Sequence, residues 1–522
     1  MNILGIGGIG GDAAAVLLKD GVVTAAVEES KLARGHRHRG LPVEAVAACL
    51  KLSRLSASDV DYVALVRPRM ADSSLHLTIR DRFPQSRIAL VEHHTAHAAS
   101  AFYASPFDSA TVLTLDRAGD LRCGAKWSGA GNHLNLETEF FFPDSFGDLY
   151  GRVTQLLGFR SGADEHKVQW MSVAGDDRFV PLFREILNCG PEGPRIDRTF
   201  VDASRLSQGG FSMMFYQRLG IPDGQPIPAN LSAHVAAGMQ RAMEKDVIAF
   251  AGDAENICLA GGLGMNALLV AALENCGKFQ NVFVQPASGN DGSSLGAALY
   301  TWHELLGHSD RAVIESYCLG PSYNAEEIKQ VVENCKLRSR YLLTSDEVVD
   351  AAVELLGDNK IVAWMQGRME FGPRALGNRS ILASPLDPYS TENLNIFIKH
   401  REAFRKFAAS VPAEAAAEYF DAGANAYSLA TVSKVRPAYC DRFAGALLKD
   451  DLIRVHVVSR DENPLYWKLL RRAGEKTGLP VLYNTSFNLF GEPLVCTPRD
   501  AVRSFYSSGI DALFAGSFLL QK

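Results

Sequence analysis

Three apolar segments, each followed by glycine or aspartate, constrain the fold of this chain more than any other feature. Ile3–Gly7 runs into a Gly-rich turn. Ala110–Leu115 ends at Asp116, and Asn256–Ala260 ends at a pair of glycines. Each segment has the length and continuous apolar character of a buried strand. Because ligands in open α/β sheets bind outside the carboxyl ends of strands, the pattern predicts an α/β fold with three strand ends facing one site.

The length and charge of the chain limit its class. At 522 residues it is too long for one compact core, so two or three domains are expected. Hydrophobic residues make up 47% and charged residues 21%, which is typical of a soluble globular protein. The net charge of -6 gives no broad cationic field, so nucleic acid is not expected as a partner and any anion site must be local.

The first residues and the cysteines indicate the compartment. The chain starts without the basic segment and cleavage signal of a secretory leader, and no apolar run reaches membrane-spanning length. The nine cysteines include no C-x-x-C pair, which favours reduced, buried thiols over a disulfide framework or a zinc site. These features predict a cytoplasmic protein without a membrane partner.

A histidine-rich segment predicts a metal site. On a helix, His93 and His97 lie four residues apart and project from the same face, which is the spacing that two imidazoles need to bind one metal ion. Asp116 and Asp291 are the best candidates for oxygen ligands. A mixed imidazole and carboxylate set suits iron, manganese or zinc. The alternative is a helix N-terminus whose histidines are solvated.

A Gly-rich basic loop predicts an anion site. Gly367–Ser380 places Arg368, Arg374 and Arg379 among glycines and a proline. Closely spaced arginines repel one another and need anions, and planar guanidinium groups match phosphate. Further basic residues follow on a predicted helix over Glu392–Phe407: Lys399, Arg401 and Arg405. We therefore expect a polyphosphate site, with a solvated basic surface as the alternative.

Two weaker patterns fit a nucleotide. The glycines after Ala260 let the backbone approach a nucleotide because no side chain blocks the contact. Val481–Asn488 is predicted as a strand that ends in small hydroxyl and amide residues, which can donate to a phosphate. Either pattern alone is also typical of a plain turn.

Together these segments resemble the family of O-carbamoyltransferases that modify nodulation factors and antibiotics such as tobramycin and cephamycins. The resemblance covers essentially the whole chain. It rests on several segments in one order: HHTAHAASAFYASPF, LAGGLGMN, VQPASGNDGSSLGAAL, QGRMEFGPRALGNRSIL, IKHREAFRKFAASV and PVLYNTSFNLFGEPLVCTP. The shared order makes the match specific, whereas any one segment would not be.

The resemblance implies two domains. Residues 1–343 are expected to form a Kae-like domain of the actin and sugar-kinase (ASKHA) superfamily, which is a duplicated ribonuclease-H-like α/β fold. Residues 344–522 are expected to form a YrdC-like α/β domain. Whether two chains form a homodimer is left open.

The resemblance also implies the reaction and its cofactors. The YrdC-like domain is expected to bind ATP with Mg²⁺ and carbamoyl phosphate, and to form carbamoyl adenylate with release of phosphate and pyrophosphate. The Kae-like domain, with Fe²⁺ or another divalent metal, is expected to pass the carbamoyl group to a small-molecule acceptor. The acceptor would offer a hydroxyl or an amine and belong to natural-product biosynthesis, such as that of antibiotics.

The family's functional positions match residues in both domains. In the YrdC-like domain the matches are Arg374, Lys399, Arg405, Arg454, Asn484 and Ser486, with Arg368 and Arg401 as neighbours of suitable chemistry. In the Kae-like domain the metal ligands fall on His93, His97, Asp116 and Asp291. The positions near the adenylate there are Lys167, Gly261, Gly262 and Asn266.

The chain departs from the family on the acceptor side. The first turn reads Gly11-Asp12 where the family has a His-Asp pair, and glycine cannot take a proton. Either Asp12 or a group such as His36 or His38 acts as the base, or the acceptor is more nucleophilic than an alcohol. Arg117 stands where the family has glycine, and it either binds an acidic acceptor or disturbs the site.

Two other functions stay open at the level of the sequence. The chain could be an adenylate-forming ligase or acyltransferase for another carboxylate, or a catalytically impaired homologue that binds a small molecule. The acceptor is expected to contact the loops Ser30–Gly40 and Gly131–Asp148, which carry no readable code for its identity.

Overall fold

The computed structural model describes residues 1–35, 39–66, 74–489 and 491–522. His36 and His38, considered above as bases, lie outside these described residues. Within them the chain is a mixed α/β structure built on three sheets, two in the N-terminal half and one in the C-terminal domain. The predicted α/β fold class is confirmed.

The first two sheets share one topology. The first sheet has the order β3-β2-β1-β4-β5, with β1 (Asn2–Gly7), β2 (Ala14–Lys19), β3 (Val22–Glu28), β4 (Tyr62–Val66) and β5 (Arg87–Val91). The second has the order β8-β7-β6-β9-β10, with β6 (Ser109–Gly119), β7 (Arg122–Ala130), β8 (His133–Phe141), β9 (Asn256–Ala260) and β10 (Asn281–Val284). In each, three antiparallel strands are followed by two that run parallel to the first. This repeat is the duplicated ribonuclease-H-like arrangement, so the expected actin and sugar-kinase-like fold is confirmed.

Helices cover both N-terminal sheets. They are α1 (Glu29–Ala33), α2 (Val43–Leu52), α3 (Ser74–Arg82), α4 (His93–Phe102), α5 (Phe146–Leu156), α6 (Glu165–Ser172), α7 (Val180–Leu187), α8 (Met213–Leu219), α9 (Ala229–Ala251), α10 (Ala267–Asn275) and α11 (Ser293–Tyr300). α11 packs on the first sheet and α4 on the second, and the two helices contact each other. Gly296 permits this crossing, because a Cβ there would lie 1.7 Å from Ala96 O. This crossing fixes the position of α4 between the first sheet and the second sheet.

The C-terminal domain is one mixed sheet covered by helices. The strand order is β11-β20-β19-β12-β13-β18-β14-β17-β16-β15. The strands are β11 (Arg340–Tyr341), β12 (Val362–Met365), β13 (Arg379–Ala383), β14 (Ala408–Pro412), β15 (Phe420–Asp421), β16 (Val432–Val435), β17 (Leu452–Val458), β18 (Leu482–Ser486), β19 (Ala512–Ala515) and β20 (Phe518–Gln521). The helices are α12 (Ala325–Asn334), α13 (Ser345–Gly357), α14 (Ser390–Asn393), α15 (Ala416–Tyr419), α16 (Pro464–Thr477) and α17 (Pro498–Tyr506).

The domain boundary between residues 343 and 344 stays a prediction. Two elements that precede this boundary, α12 and β11, already pack with the C-terminal domain, since β11 pairs with β20 and α12 packs against α17. Ile328 and Val332 of α12 are buried in the core of that domain. None of the described helices combines the length and apolar character that a membrane-spanning segment requires.

Three local predictions are wrong. The helix predicted over Glu392–Phe407 ends at Lys399 in a π-helical turn, because His400 is left-handed with φ 45° and the chain then leads into β14. The expected loop Ser30–Gly40 begins inside α1, and half of the expected loop Gly131–Asp148 is the edge strand β8. In β6, pairing with β7 shifts after Leu115, so Asp116 leaves the regular ladder.

Candidate functional site

The start of α4 and the end of β6 bring three metal-ligating side chains together. Glu92 caps α4 by accepting a hydrogen bond from the Thr95 backbone N–H at 2.9 Å, which fixes the first turn. His93 and His97 follow one turn apart on one face of the helix, as predicted. The Asp116 Oδ2 atom lies 3.0 Å from His93 Nε2 and 3.6 Å from His97 Nε2. We call these three side chains the metal-ligand group.

The chemistry of the metal-ligand group fits a divalent cation. The candidate ligand atoms of His93, His97 and Asp116 lie within 4.8 Å of one another. Among the described residues, neither ring nitrogen of the buried His97 has a hydrogen-bond partner, which is costly unless another group binds them. Burial raises the pKa of Asp116, but the hydrogen bond from His93 and the charges of both histidines outweigh burial and hold that pKa well below its usual range. An ionised carboxylate with two imidazoles suits iron, manganese or zinc.

Asp291, the second predicted carboxylate ligand, lies apart from this group. Among the described residues, its carboxylate is not within the 4.8 Å cluster. Burial and then the charges of Glu28 and Asp12 raise the pKa of Asp291 to about 7, while Lys31 opposes the shift. Glu28 and Lys31 form a buried ion pair of 2.6 Å. The turn that carries Asp291 therefore faces the first Gly-rich turn and Asp12, and its role as a metal ligand stays a prediction.

Gly119 leaves the space that the His93 ring occupies. A Cβ at position 119 would lie 2.2 Å from His93 Cδ2 and 2.6 Å from Nε2. A Gly119→Ala substitution must therefore move the imidazole away from Asp116, and we expect the affinity for Zn²⁺ or Fe²⁺ to fall by roughly 10- to 100-fold. Equilibrium dialysis measures this. Gly190→Ala, where a Cβ meets nothing within 4 Å, is the control. Equal metal binding by both variants would contradict the prediction.

Arg117 lies beside the metal-ligand group and points away from it. Its Nε donates to Asp148 Oδ1 at 3.2 Å and its Nη1 donates to Ser161 Oγ at 3.2 Å, with about half of the side chain exposed. Its backbone N–H donates to Asp116 Oδ1 at 2.9 Å. The guanidinium is thus bonded to Asp148 and Ser161, and whether Arg117 binds an acidic acceptor or disturbs the site stays a prediction.

The glycine pair after β9 borders the metal-ligand group. Gly261 has φ 90°, and a Cβ there would lie 2.3 Å from Leu115 O. A Cβ at Gly262 would lie 3.0 Å from Asp116 Oδ1. Position 261 therefore requires glycine, a Cβ at position 262 would press on the Asp116 carboxylate, and the pair places bare backbone next to the three ligands.

Asn266 is held by the protein itself. Its Oδ1 accepts a hydrogen bond from the Leu269 N–H at 3.1 Å and so caps α10. Its Nδ2 donates to Gln240 Oε1 at 2.8 Å, and Gln240 in turn accepts from the Tyr150 hydroxyl at 2.8 Å. These hydrogen bonds hold the side-chain amide of Asn266 in place. Its role near an adenylate stays a prediction.

Four arginines of the C-terminal domain converge. Burial and then the charges of Arg374, Arg401 and Arg405 hold the pKa of Arg454 well below its usual range. Burial lowers the pKa of Arg374 to about 10, and burial with the charge of Arg405 lowers that of Arg401 to about 9. Clustered cations of this kind are tolerated where a protein binds an anion. We call these four residues the arginine cluster.

The arginine cluster touches the N-terminal half. The Arg374 Nη2 donates to Met265 O at 2.9 Å, one residue before the cap of α10. The Arg454 guanidinium lies 5.5 Å from the ring centre of Trp170 on α6. The cluster therefore lies at the seam between the two parts of the chain.

The other two arginines of the basic loop stabilise the loop itself. Arg379 is fully buried and donates to backbone carbonyl oxygens, among them Gln366 O at 2.6 Å. Arg368 donates to Thr24 O at 2.9 Å and Gly320 O at 3.2 Å. The interpretation of this loop as three arginines facing one anion is corrected, because carbonyl oxygens satisfy Arg368 and Arg379 while Arg374 joins the cluster.

Lys399 fixes the turn after β18. Its Nζ donates to Asn488 Oδ1 at 2.7 Å and Asn488 O at 2.9 Å, and also to the Ser486 carbonyl. The Ser486 hydroxyl donates to the same Asn488 Oδ1 at 2.8 Å. Burial and then the charges of Arg401 and Arg405 hold the pKa of Lys399 well below its usual range. Lys399 therefore lies within the field of the arginine cluster while holding the 486–488 turn.

Asn484 connects β18 to the arginine loop. Its Nδ2 donates at 3.2 Å to both Ala375 O and Ser410 Oγ. Its Oδ1 is buried and has no hydrogen-bond partner in the described residues. The contact to Ala375 holds the residue next to Arg374, so Asn484 positions the loop.

Comparisons with known proteins match this chain over both parts. The carbamoyltransferase N-terminus family model matches residues 68–299, and the carbamoyltransferase C-terminus model matches residues 353–522. The nodulation protein NolNO of Sinorhizobium fredii is 33% identical, over 98% of this chain and 79% of that protein. The chain belongs to the carbamoyltransferase family.

Further relatives of this carbamoyltransferase cover a similar extent. An uncharacterized protein of Synechocystis sp. is 33% identical over 100% of this chain and 97% of that protein. In fold, the carbamoyltransferase is similar to the crystal structure of T. kodakarensis HypF, at 14% identity and a TM-score of 0.38, over 59% of this chain and 48% of that chain.

In this carbamoyltransferase, Lys167 of α6 reaches across the seam. Its Nζ lies 2.9 Å from Glu402 Oε1 in the C-terminal domain and 3.4 Å from Asp164 Oδ1. Glu402 also lies 4.0 Å from Arg405 Nη1. Glu402 was not among the residues predicted from the sequence, although its position between Arg401 and Arg405 indicates a carboxylate among these cations.

Proposed function

We propose that this carbamoyltransferase forms carbamoyl adenylate from ATP and carbamoyl phosphate at the arginine cluster, then transfers the carbamoyl group in the N-terminal half. The observation that carries the proposal is the convergence of Arg374, Arg401, Arg405 and Arg454 at one seam. Burial and then the charges of the other three arginines lower the pKa of Arg454, and burial with the charge of Arg405 lowers that of Arg401, so a bound polyanion would stabilise their charged forms. Two phosphate substrates, one of them ATP with Mg²⁺, match that demand.

The roles of the C-terminal residues follow from their contacts. Arg374 and Arg454 contact the N-terminal half, so they can bind phosphate at the seam between the N-terminal half and the C-terminal domain. Lys399 and Asn484 hold the neighbouring backbone, and the Ser486 hydroxyl lies in the turn that Lys399 fixes. In this assignment the arginines stabilise developing negative charge, and Lys399, Asn484 and Ser486 keep the site preorganised.

The N-terminal half is proposed as the transfer site. His93, His97 and Asp116 would hold Fe²⁺ or another divalent metal, with Asp291 as a further proposed ligand. Bound there, the metal would supply Lewis-acid stabilisation of phosphate charge. The bare backbone of Gly261 and Gly262 allows an adenylate to come close, and Lys167 offers a cation near the seam. Asn266 supports that turn from below.

The acceptor is proposed to be a small molecule of natural-product biosynthesis that offers a hydroxyl or an amine. Asp12 is the proposed base, since Gly11 cannot take a proton and Asp12 lies close enough to Asp291 for its charge to raise that pKa. The requirement for ATP favours a reaction in the cytoplasm.

The test of adenylate formation is the dependence of pyrophosphate release on carbamoyl phosphate. We expect purified protein with ATP and Mg²⁺ to release pyrophosphate only when carbamoyl phosphate is added, because water frees carbamate and phosphate from it and the carbamate oxygen then displaces pyrophosphate from the α-phosphate of ATP. A coupled pyrophosphatase assay with and without carbamoyl phosphate measures this. A panel of other carboxylates serves as the comparison. Release that is independent of carbamoyl phosphate, or driven by another acid, would refute the proposal.

A further inference from the structure

Glu402 is a carboxylate inside a cationic surrounding. Its Oε1 lies 2.9 Å from Lys167 Nζ, and its Oε2 lies 4.0 Å from Arg405 Nη1. The Oε2 atom is buried and has no hydrogen-bond partner among the described residues. Glu402 thus joins a lysine of the N-terminal half to an arginine of the cluster through one side chain.

The charges around Glu402 are unbalanced. The charges of Lys167 and Arg405 act directly on Glu402, and the charge of Arg405 also acts on Arg401, Arg454 and Lys399. Asp164 is the second carboxylate in contact with Lys167, at 3.4 Å, and its charge also acts on Arg405. Two carboxylates, Glu402 and Asp164, therefore face a larger number of cationic side chains, so the net charge at the seam is positive.

We infer that Glu402 is an internal counter-ion that competes with phosphate for Lys167 and Arg405, and so limits how tightly the arginine cluster holds a polyphosphate. Carboxylate and phosphate oxygens accept the same charge-assisted hydrogen bonds from ammonium and guanidinium groups. Glu402 therefore occupies hydrogen-bond donors of Lys167 and Arg405 that a phosphate would otherwise use, and its negative charge repels that phosphate. The inference rests on the proposed function in one respect, namely that a polyphosphate binds at the arginine cluster.

This arrangement has a consequence for product release. A cluster of unopposed cations would hold pyrophosphate tightly after the adenylate has formed. A carboxylate that returns to Lys167 and Arg405 weakens the product's contacts and favours its departure. Glu402 is in this sense a positioning residue, since it acts on the phosphate through the cations that it contacts.

The test is pyrophosphate binding to the full chain, measured by isothermal titration calorimetry. Removing the charge in Glu402→Gln is expected to tighten binding of inorganic pyrophosphate about fivefold, the scale of a partly exposed ion pair. Glu402→Asp keeps the charge and should stay close to the wild type. The matched control is Glu414→Gln, which removes the same charge from an exposed carboxylate 3.6 Å from Arg471.

A merely structural role for Glu402 would not change the salt dependence of binding. With the counter-ion removed, more ions are displaced by pyrophosphate, so Glu402→Gln should lose affinity with added NaCl more steeply than the wild type. Glu402→Ala repeats the measurement should the glutamine variant fail to fold. Unchanged or weaker binding in the charge-removing variants would overturn the inference, as would the absence of pyrophosphate binding in every variant. Failure of the proposed function is seen separately, as pyrophosphate release by the wild type without carbamoyl phosphate.

Discussion

An Arg374→Ala variant is expected to release pyrophosphate roughly 100- to 1,000-fold more slowly than the wild type when ATP and carbamoyl phosphate are both present. The reason is that Arg374 combines two features, a pKa lowered to about 10 by burial and a position at the seam, where Nη2 reaches Met265 O. Removing it takes away a preorganised donor that water cannot replace. A continuous pyrophosphate assay at saturating substrates measures the rate.

Arg471→Ala is the matched control for this variant. Arg471 is an exposed arginine of the same domain that lies 3.6 Å from Glu414, and its removal should leave the rate within about twofold. Arg374→Lys tests the geometry, because an ammonium keeps the charge and loses the planar fork. If Arg374→Ala kept full activity with an unchanged thermal midpoint, the arginine cluster would not be the adenylation site.

The sequence predicted the main elements that position the site. Continuous apolar segments predicted β1, β6 and β9, and the four-residue spacing predicted that His93 and His97 share one helix face. These predictions succeed because they depend on local periodicity, which the chain records residue by residue. The convergence of Arg374 and Arg405 was also expected, since closely spaced guanidinium groups need an anion.

The basic loop shows what local pattern cannot decide. Arg368, Arg374 and Arg379 are chemically alike and lie within twelve positions, yet the first and last bind backbone carbonyls. Which arginine faces a ligand depends on where free carbonyl oxygens lie after folding. Glu370 decides much of this, since its Oε1 accepts hydrogen bonds from three backbone N–H groups of the loop and so folds it around the buried Arg379.

The helix predicted over Glu392–Phe407 fails for a related reason. The segment has helical periodicity up to Lys399, and then His400 adopts a left-handed conformation. Tertiary contacts favour that break, because Lys399 can then reach the turn at Asn488 while Arg401 and Arg405 face the seam. A continuous helix would place these bases one turn apart on a single axis. The site therefore forms at the expense of local helix propensity.

A His97→Ala variant is expected to lose its divalent metal and its carbamoyl transfer while keeping pyrophosphate release. His97 is buried in the metal-ligand group, and neither of its ring nitrogens has a hydrogen-bond partner in the part of the chain that the structure describes, so its removal deletes a ligand and breaks no side-chain hydrogen bond seen there. The arginine cluster lies at the seam and does not include this histidine. We expect stoichiometric metal in the wild type and at most about a tenth of it in the variant, by elemental analysis.

The two half-reactions separate the roles of the two parts of the chain. Transfer is followed as a carbamoyl mass increase in a metabolite extract incubated with ATP and carbamoyl phosphate, and pyrophosphate is followed in the same samples. His133→Ala, which removes an exposed histidine of β8, should leave the metal content and pyrophosphate release unchanged. Equal loss of pyrophosphate release and transfer in His97→Ala would mean that the metal-ligand group also serves adenylation. Retention of metal by that variant would instead mean that His97 is a buried core histidine and that the ligands lie elsewhere.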